Sequence, residues 1–255
     1  MEIRLSSSRS YRLSTRILVL LLFWTTCVAL TQNDNSKRPL PADPVGNADI
    51  TRIITSFTSG ESEFHEAFNS YGYKCELVVQ TVRSGKVSGE YRRVTQVVSG
   101  KDGKLEEKIL SFPRPTLTDI YVTREDLENL SAKYLFTLDT ANANKYKFKY
   151  AGKERIGDID LYTFDVTPKY VSSVERLFSG RIWVSVNDLR IVRLRGREVQ
   201  NNGQKFPVME IYRTPVDGRY LFPSVALADE EVVFPTSFSA HLHVEVRYSE
   251  YVKLK

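Results

Sequence analysis

The sequence predicts a mainly β fold: a curved antiparallel sheet of about 10–11 strands that closes or half-closes into a barrel, its apolar face covered by an amphipathic helix. Three observations carry that expectation. From Tyr73 onward, apolar and polar residues alternate with period two in run after run, as half-buried strands require. Turn-forming stretches such as Gly100-Lys-Asp-Gly103, Ile156-Gly-Asp-Ile159 and Pro215-Val-Asp-Gly218 separate the runs, so sequence neighbours pair as hairpins. Ahead of them, between Asp49 and Tyr71, the spacing becomes helical: Ile50, Ile53, Ile54 and Phe57, then Phe64, Ala67 and Phe68 after Ser59-Gly60. That stripe reads as one broken helix or two successive ones, and only the sheet is large enough to bury it.

The first 31 residues stand apart. Arg4, Arg9, Arg12 and Arg16 face a single acid, Glu2, and are followed by the apolar run Ile17 to Trp24 and the tail Thr25-Thr-Cys-Val-Ala-Leu-Thr31. This is the pattern of a cleaved export signal, residues 1–31, with small residues suiting cleavage after Ala29 or Thr31. Two other readings stay open: an uncleaved membrane anchor, for which the run is short against the roughly 20 residues a spanning helix needs, and a lipid on Cys27, whose flank Trp24-Thr25-Thr26 lacks the leucine and small residue of a lipobox. Residues 32–46, polar and proline-bearing, read as a flexible tether, and 47–255 as one β domain. Without residues 1–31 the chain has 32 basic and 30 acidic residues and its formal charge falls from +5 to +2, which removes any general case for nucleic-acid binding. Only Cys75 then remains, so no internal disulfide can form and the thiol reads as a small buried hydrophobe.

Within the domain, Cys75, Leu77, Val79 and Thr81 share one face of the first strand, and a hairpin over residues 90–110 follows. Phe112-Pro-Arg-Pro115 ends regular pairing, because proline donates no ladder bond. Thr123-Arg-Glu-Asp126 resembles a capping box opening a short helix to about Leu130. Tyr146, Phe148 and Tyr150 oppose Lys145, Lys147 and Lys149; Tyr162, Phe164 and Val166 repeat the arrangement. The clearest hairpin is Arg176 to Arg197 around Asn187-Asp188, with Ile182 and Val184 on the inward side of one arm and Val192 and Leu194 on the other. Strict alternation then places Trp183, Arg193, Arg195 and Arg197 outside, as a contact surface for headgroups or an acidic partner, or as a solvated face paired with neighbouring acids. Leu242, Val244, Val246 and Tyr248 are the inward set of the last strand. A membrane-spanning barrel is excluded by the Lys, Arg, Glu and Asp that alternate with the apolar residues, since lipid-facing positions must be apolar.

Catalytic chemistry finds no foothold: there is no Gly-x-Ser-x-Gly, no phosphate-binding glycine loop and no cysteine with a histidine base. His241 and His243 share a strand face with Glu245, yet Arg247 continues that row and no further histidine completes a site, so neither a metal nor a cofactor is expected.

Several stretches also resemble a known family. Val122-Thr-Arg-Glu-Asp-Leu127, Tyr162-Thr-Phe-Asp-Val-Thr-Pro-Lys169, Gly180-Arg-Ile-Trp-Val184, Asp188-Leu-Arg-Ile-Val192 and Val216-Asp-Gly-Arg-Tyr-Leu-Phe-Pro223 resemble secreted bacterial proteins called outer-membrane lipoprotein-sorting-like, with a LolA/LolB/RseB-type fold. The resemblance runs from Ile50 to the C-terminus. It implies an unclosed (half) antiparallel β-barrel with helices forming a lid over a hydrophobic cavity, and a periplasmic carrier that holds the acyl chains of a lipid or lipoprotein, touching membranes only peripherally. The regulator branch implies instead an envelope regulatory or scaffold protein that binds a protein partner. On the carrier reading, the inward residues Leu77, Val79, Tyr146, Phe148, Tyr150, Tyr162, Phe164, Ile182, Val184, Val192, Leu194, Leu242 and Val244 line the cavity; the bland alternative makes them ordinary core. The tyrosines lean toward a cavity, since a buried hydroxyl needs a partner and a cavity mouth supplies one.

Overall fold

The structure, a computed structural model, describes residues 37–39, 45–100, 104–118, 120–130, 138–199, 207–234 and 239–254. The export-signal, anchor and Cys27 readings lie outside these residues. Eleven strands form one antiparallel sheet: β1 (Lys37–Pro39), β2 (Tyr71–Arg83), β3 (Lys86–Ser99), β4 (Leu105–Ser111), β5 (Tyr146–Ile156), β6 (Ile159–Pro168), β7 (Leu177–Ser185), β8 (Ile191–Val199), β9 (Met209–Val216), β10 (Tyr220–Val233) and β11 (Ser239–Lys253). Among the described residues two α-helices accompany them, α1 (Asn47–Phe68) and α2 (Arg124–Leu130), with a single 3-10 turn at Ala143–Lys145. The spatial order is β1-β5-β6-β7-β8-β9-β10-β11-β2-β3-β4, so the sheet is unclosed, with β1 and β4 as its edges. Everything from β5 to β11 is a plain meander; the joins between strands far apart in sequence are β1 to β5 and β11 to β2, the latter attaching the N-terminal hairpins to the C-terminal strand. Within the stretch read as a tether, Lys37–Pro39 pairs with Glu154–Ile156 of β5.

The helix forms without the expected break. α1 runs unbroken through Ser59-Gly60 for 22 residues. Thr51, Thr55, Thr58 and Ser62, poor helix formers, each return their hydroxyl to a carbonyl one turn back, which satisfies the group locally. Its buried stripe is Ile53, Phe57, Thr58, Glu61, Phe64 and Phe68, and it packs inside the curve of the sheet. Phe57 meets Phe148 and Phe164 at ring-centroid distances of 5.4 and 5.6 Å. Phe64 and Phe68 meet Phe222 of β10 at 5.8 and 5.3 Å. Fully buried Phe222 also contacts Tyr71, Tyr220 and Tyr251, so one aromatic cluster joins helix, meander and the β11–β2 seam.

The β7–β8 hairpin turns at Asn187-Asp188 as expected, but strict alternation fails in its second arm. The register shifts between Trp183 and Val184, pairing Val184 with Ile191 and Trp183 with Arg193. Val192 is the extra residue of this bulge. It is half-buried and outside the core cluster, while Ile191, 1% exposed, takes the inward position assigned to it. One inserted residue is enough to flip the parity.

Farther along the same hairpin Gly180 lies opposite Gly196, and the ring of Phe178 lies against both. A Cβ on Gly196 would run into that ring, the Ser179 carbonyl and the Gly180 backbone; two of these are main chain and cannot move aside. Gly196→Ala is therefore expected to cost about 1–3 kcal/mol, read as a lower denaturation midpoint with an unchanged m-value.

Candidate functional site

The inward residues divide into two populations. Tyr146, Phe164, Ile182, Val184 and Leu194 are buried, and Phe148, Tyr150 and Tyr162 are half-buried against them. These eight belong to the same core cluster as the buried face of α1, whose Phe57 meets Phe148 and Phe164, and they line neither cleft described below. The Tyr146 hydroxyl accepts from the backbone N–H of Phe178 at 3.2 Å, so its partner is main chain rather than a cavity mouth.

At the other side of the curve, the chain that follows β4 crosses back over β3. Thr116 donates its N–H to Glu90 O at 2.8 Å, and the segment leads through Ile120 and Val122 into α2. The expected capping box forms: Asp126 Oδ2 accepts from the Thr123 N–H at 2.8 Å and from its hydroxyl at 2.7 Å, while the Asp126 N–H donates back to Thr123 Oγ1 at 3.1 Å. This fixes a seven-residue helix over the sheet, with Leu127 and Leu130 packed on the core and the Leu130 carbonyl accepting from the Tyr248 hydroxyl at 3.1 Å.

Two clefts flank α2. The first lies between Ile120–Leu130 and the inward faces of β2, β8, β9, β10 and β11, and is walled by Val79, Met209, Val232, Leu242 and Val244. About 110 Å³ of it is open to water-sized molecules, against about 10–15 Å³ for a single water. Tyr121, 88% exposed, stands at its rim. The second cleft, about 540 Å³, is more polar; Tyr73, Cys75 and Leu77 meet Arg93, Glu107 and Arg124 there. Burial pushes the Cys75 thiol up to about 12, with the neighbouring Glu107 carboxylate adding to the rise, so it is not a nucleophile at neutral pH. Thus Val79, Leu242 and Val244 line the first cleft and Leu77 the second.

Three inward charges went unrecognised in the sequence. Glu61 on α1 and Arg213 on β9 form a bidentate pair, Nη1 to Oε1 at 2.5 Å and Nη2 to Oε2 at 3.0 Å, with side chains only 4% and 1% exposed. The Phe64 ring lies 4.4 Å from the guanidinium. Both positions follow from periodicity: Glu61 sits four residues after Phe57 and three before Phe64, and Arg213 continues Met209 and Ile211. Glu198 is likewise found by counting in twos from Leu194 through Gly196. It projects into the first cleft, 8% exposed. Its Oε2 has no hydrogen-bond donor among the described residues; Arg176 Nε stands 3.9 Å away. Burial pushes the Glu198 carboxyl up to about 7, against a smaller downward pull from Arg176.

The outer face is different in kind. Thr163, Trp183, Arg193 and Tyr212 are neighbours in one row across β6 to β9. Trp183 is on the outer side, as alternation requires, yet is only 5% exposed. The Arg193 guanidinium covers its ring at 4.3 Å, and its indole N–H donates to Glu154 at 2.9 Å. Arg193 is itself buried and pairs with Glu210. Arg195 reaches Glu210 and Arg197 reaches Glu230, each at 3.8 Å, so acids accompany the whole arginine stripe. On β11, His241 bonds Asp229 and His243 Nδ1 lies 3.7 Å from it. Among the described residues no three metal-ligating side chains converge.

No protein-family model matches the chain, and no curated protein matches it. Among solved structures it is similar to a LolA superfamily protein from Nitrosomonas europaea (13% identity, 78% of this chain and 94% of that one, TM-score 0.36). It is also similar to a DUF1329 family protein from Desulfovibrio piger (15%, 78% and 93%, 0.37) and to the MucA/MucB complex structure from Pseudomonas aeruginosa (9%, 75% and 93%, 0.23).

Proposed function

We propose that the chain is a non-catalytic carrier or binding protein of the bacterial envelope, which holds the acyl chains of a lipid or lipoprotein between the curved sheet and α2. The supporting observation is the first cleft: an apolar trough on the inward face of the sheet, roofed by a helix of seven residues. Each methylene buried there contributes about 0.8 kcal/mol before ordering costs, so a chain binds without polar recognition. Displacement of α2 sets release. Export to the periplasm is part of this reading and rests on the charge and apolar run of residues 1–31; among the described residues no helix is long and apolar enough to cross a membrane.

Native mass spectrometry of the mature protein from its own envelope, with solvent extraction of anything retained, tests the proposal. Reproducible co-purification of lipid, together with saturable binding of a fluorescent acyl probe, is expected. Protein free of lipid that also ignores the probe contradicts it.

A second reading has an observation of its own. β4 is a sheet edge, and Ile109, Leu110 and the following Phe112 are about half exposed. Such an edge accepts an added strand from a partner, as a regulatory or scaffold protein would use it; a stoichiometric protein complex that survives removal of lipid would favour this.

A further inference from the structure

Resting on the carrier reading, we infer that the cleft beneath α2 selects the polar end of its occupant: it takes an acyl or alkyl chain whose polar end carries a neutral hydrogen-bond donor, a hydroxyl or an amide N–H, seated against Glu198. Of the described residues that line the cleft, only Glu198, Asp126 and Tyr121 carry polar side-chain oxygens. Tyr121 is at the rim, and Asp126 already serves the Thr123 N–H and hydroxyl. Glu198 is the one group buried in the apolar wall with an acceptor left over.

An acceptor stranded in an apolar pocket costs the protein stability, and a ligand that brings a donor recovers that cost on binding. The charges nearby decide which donor. Arg176, just ahead of β7, already faces the carboxyl from 3.9 Å, so an ammonium head meets a second cation. A fatty-acid carboxylate brings like charge against Glu198 and Asp126. An ester offers only acceptors to a group that needs a donor. A hydroxyl or an amide N–H avoids all three conflicts, and the hydroxyl suits the carboxyl whether it is ionised or protonated. Discrimination by a buried group that must find a partner is the strongest kind a small pocket has.

Four probes with one chain length test this by calorimetry or probe displacement at pH 8: lauramide, monolauroylglycerol, methyl laurate and laurate. The wild-type protein is expected to bind the first two more tightly than the last two by about tenfold or more, as for a hydrogen bond to a charged group. Glu198→Leu is expected to erase the difference. Glu198→Gln keeps the shape and adds an N–H2, so methyl laurate gains affinity in it as its carbonyl finds a donor. Tighter binding of monolauroylglycerol than of lauramide assigns the donor to a glycerolipid hydroxyl, and the reverse order to an acylated amine. Equal binding of all four by the wild type, or a preference that persists in Glu198→Leu, overturns the inference and leaves the carrier reading standing. Binding of none overturns both.

Discussion

Arg213→Ala is expected to lower the stability of the domain by about 3–5 kcal/mol, and Glu61→Ala by a similar amount. Each removes one half of an ion pair that is almost wholly enclosed between α1 and the sheet, so the loss is dominated by the charge left behind in a low-dielectric interior. In Glu61→Ala the guanidinium left behind keeps the Phe64 ring, while its Nε already lacks a hydrogen-bond acceptor among the described residues. Replacing both together by apolar residues of similar volume, Glu61→Leu with Arg213→Met, is expected to be near neutral or stabilising. Denaturant melts of the two single variants and the double variant form a cycle whose coupling energy measures the pair. A double variant that loses the sum of the two single losses would show that the groups act separately and that α1 is held by its phenylalanines alone.

The second large effect has the opposite sign. Glu198→Leu is expected to stabilise the protein by about 3 kcal/mol at pH 8 and by little at pH 4. The carboxyl titrates at about 7 in the folded chain against 4.5 ordinarily, so the folded state is the tighter proton binder between those values. Stability is then fully present below about pH 4.5 and is lost as the pH rises through about 7, each pKa unit being worth about 1.4 kcal/mol. Removing the carboxyl removes that slope. Melts at the two pH values read it directly, and an equal effect of the substitution at both would contradict the buried state assigned to Glu198. A group that weakens the fold at neutral pH, on the wall of the apolar cleft beneath α2, is what the proposed binding role would require, stability being given up where a ligand is to be held.

Much of this architecture was legible in the sequence because period two survives wherever a strand is buried on one side. Tyr146, Phe164, Ile182 and Leu242 all point where their alternation sends them. Thr123 and Asp126 announced α2 through the capping box they form. Alternation failed at Val192, because a bulge is a backbone event that leaves no mark in the hydrophobic pattern. It placed Trp183 on the correct side but could not foresee that Arg193, directly opposite across the strand pair, would cover it; burial on an outer face comes from cross-strand stacking, which binary patterning does not encode. The site itself was half visible. Val79, Leu242 and Val244 were in view as inward residues, yet which part of the concave face stays open depends on where α1 lies, and that is a matter of packing. Glu61, Arg213 and Glu198 were hidden by the assumption that charged residues point outward, although each obeys the helical or strand period of its apolar neighbours.

Where an acyl chain lies when bound is the most direct question to put to the protein. A photoreactive lauramide with a diazirine on its chain, irradiated in complex with the mature protein and mapped by peptide mass spectrometry, should label Val79, Met209, Val232, Leu242 or Val244 and lose that labelling when unlabelled lauramide competes. Labelling confined to the exposed β4 edge and Phe112, or spread over the outer face without competition, would contradict the claim that the cleft beneath α2 is the binding site.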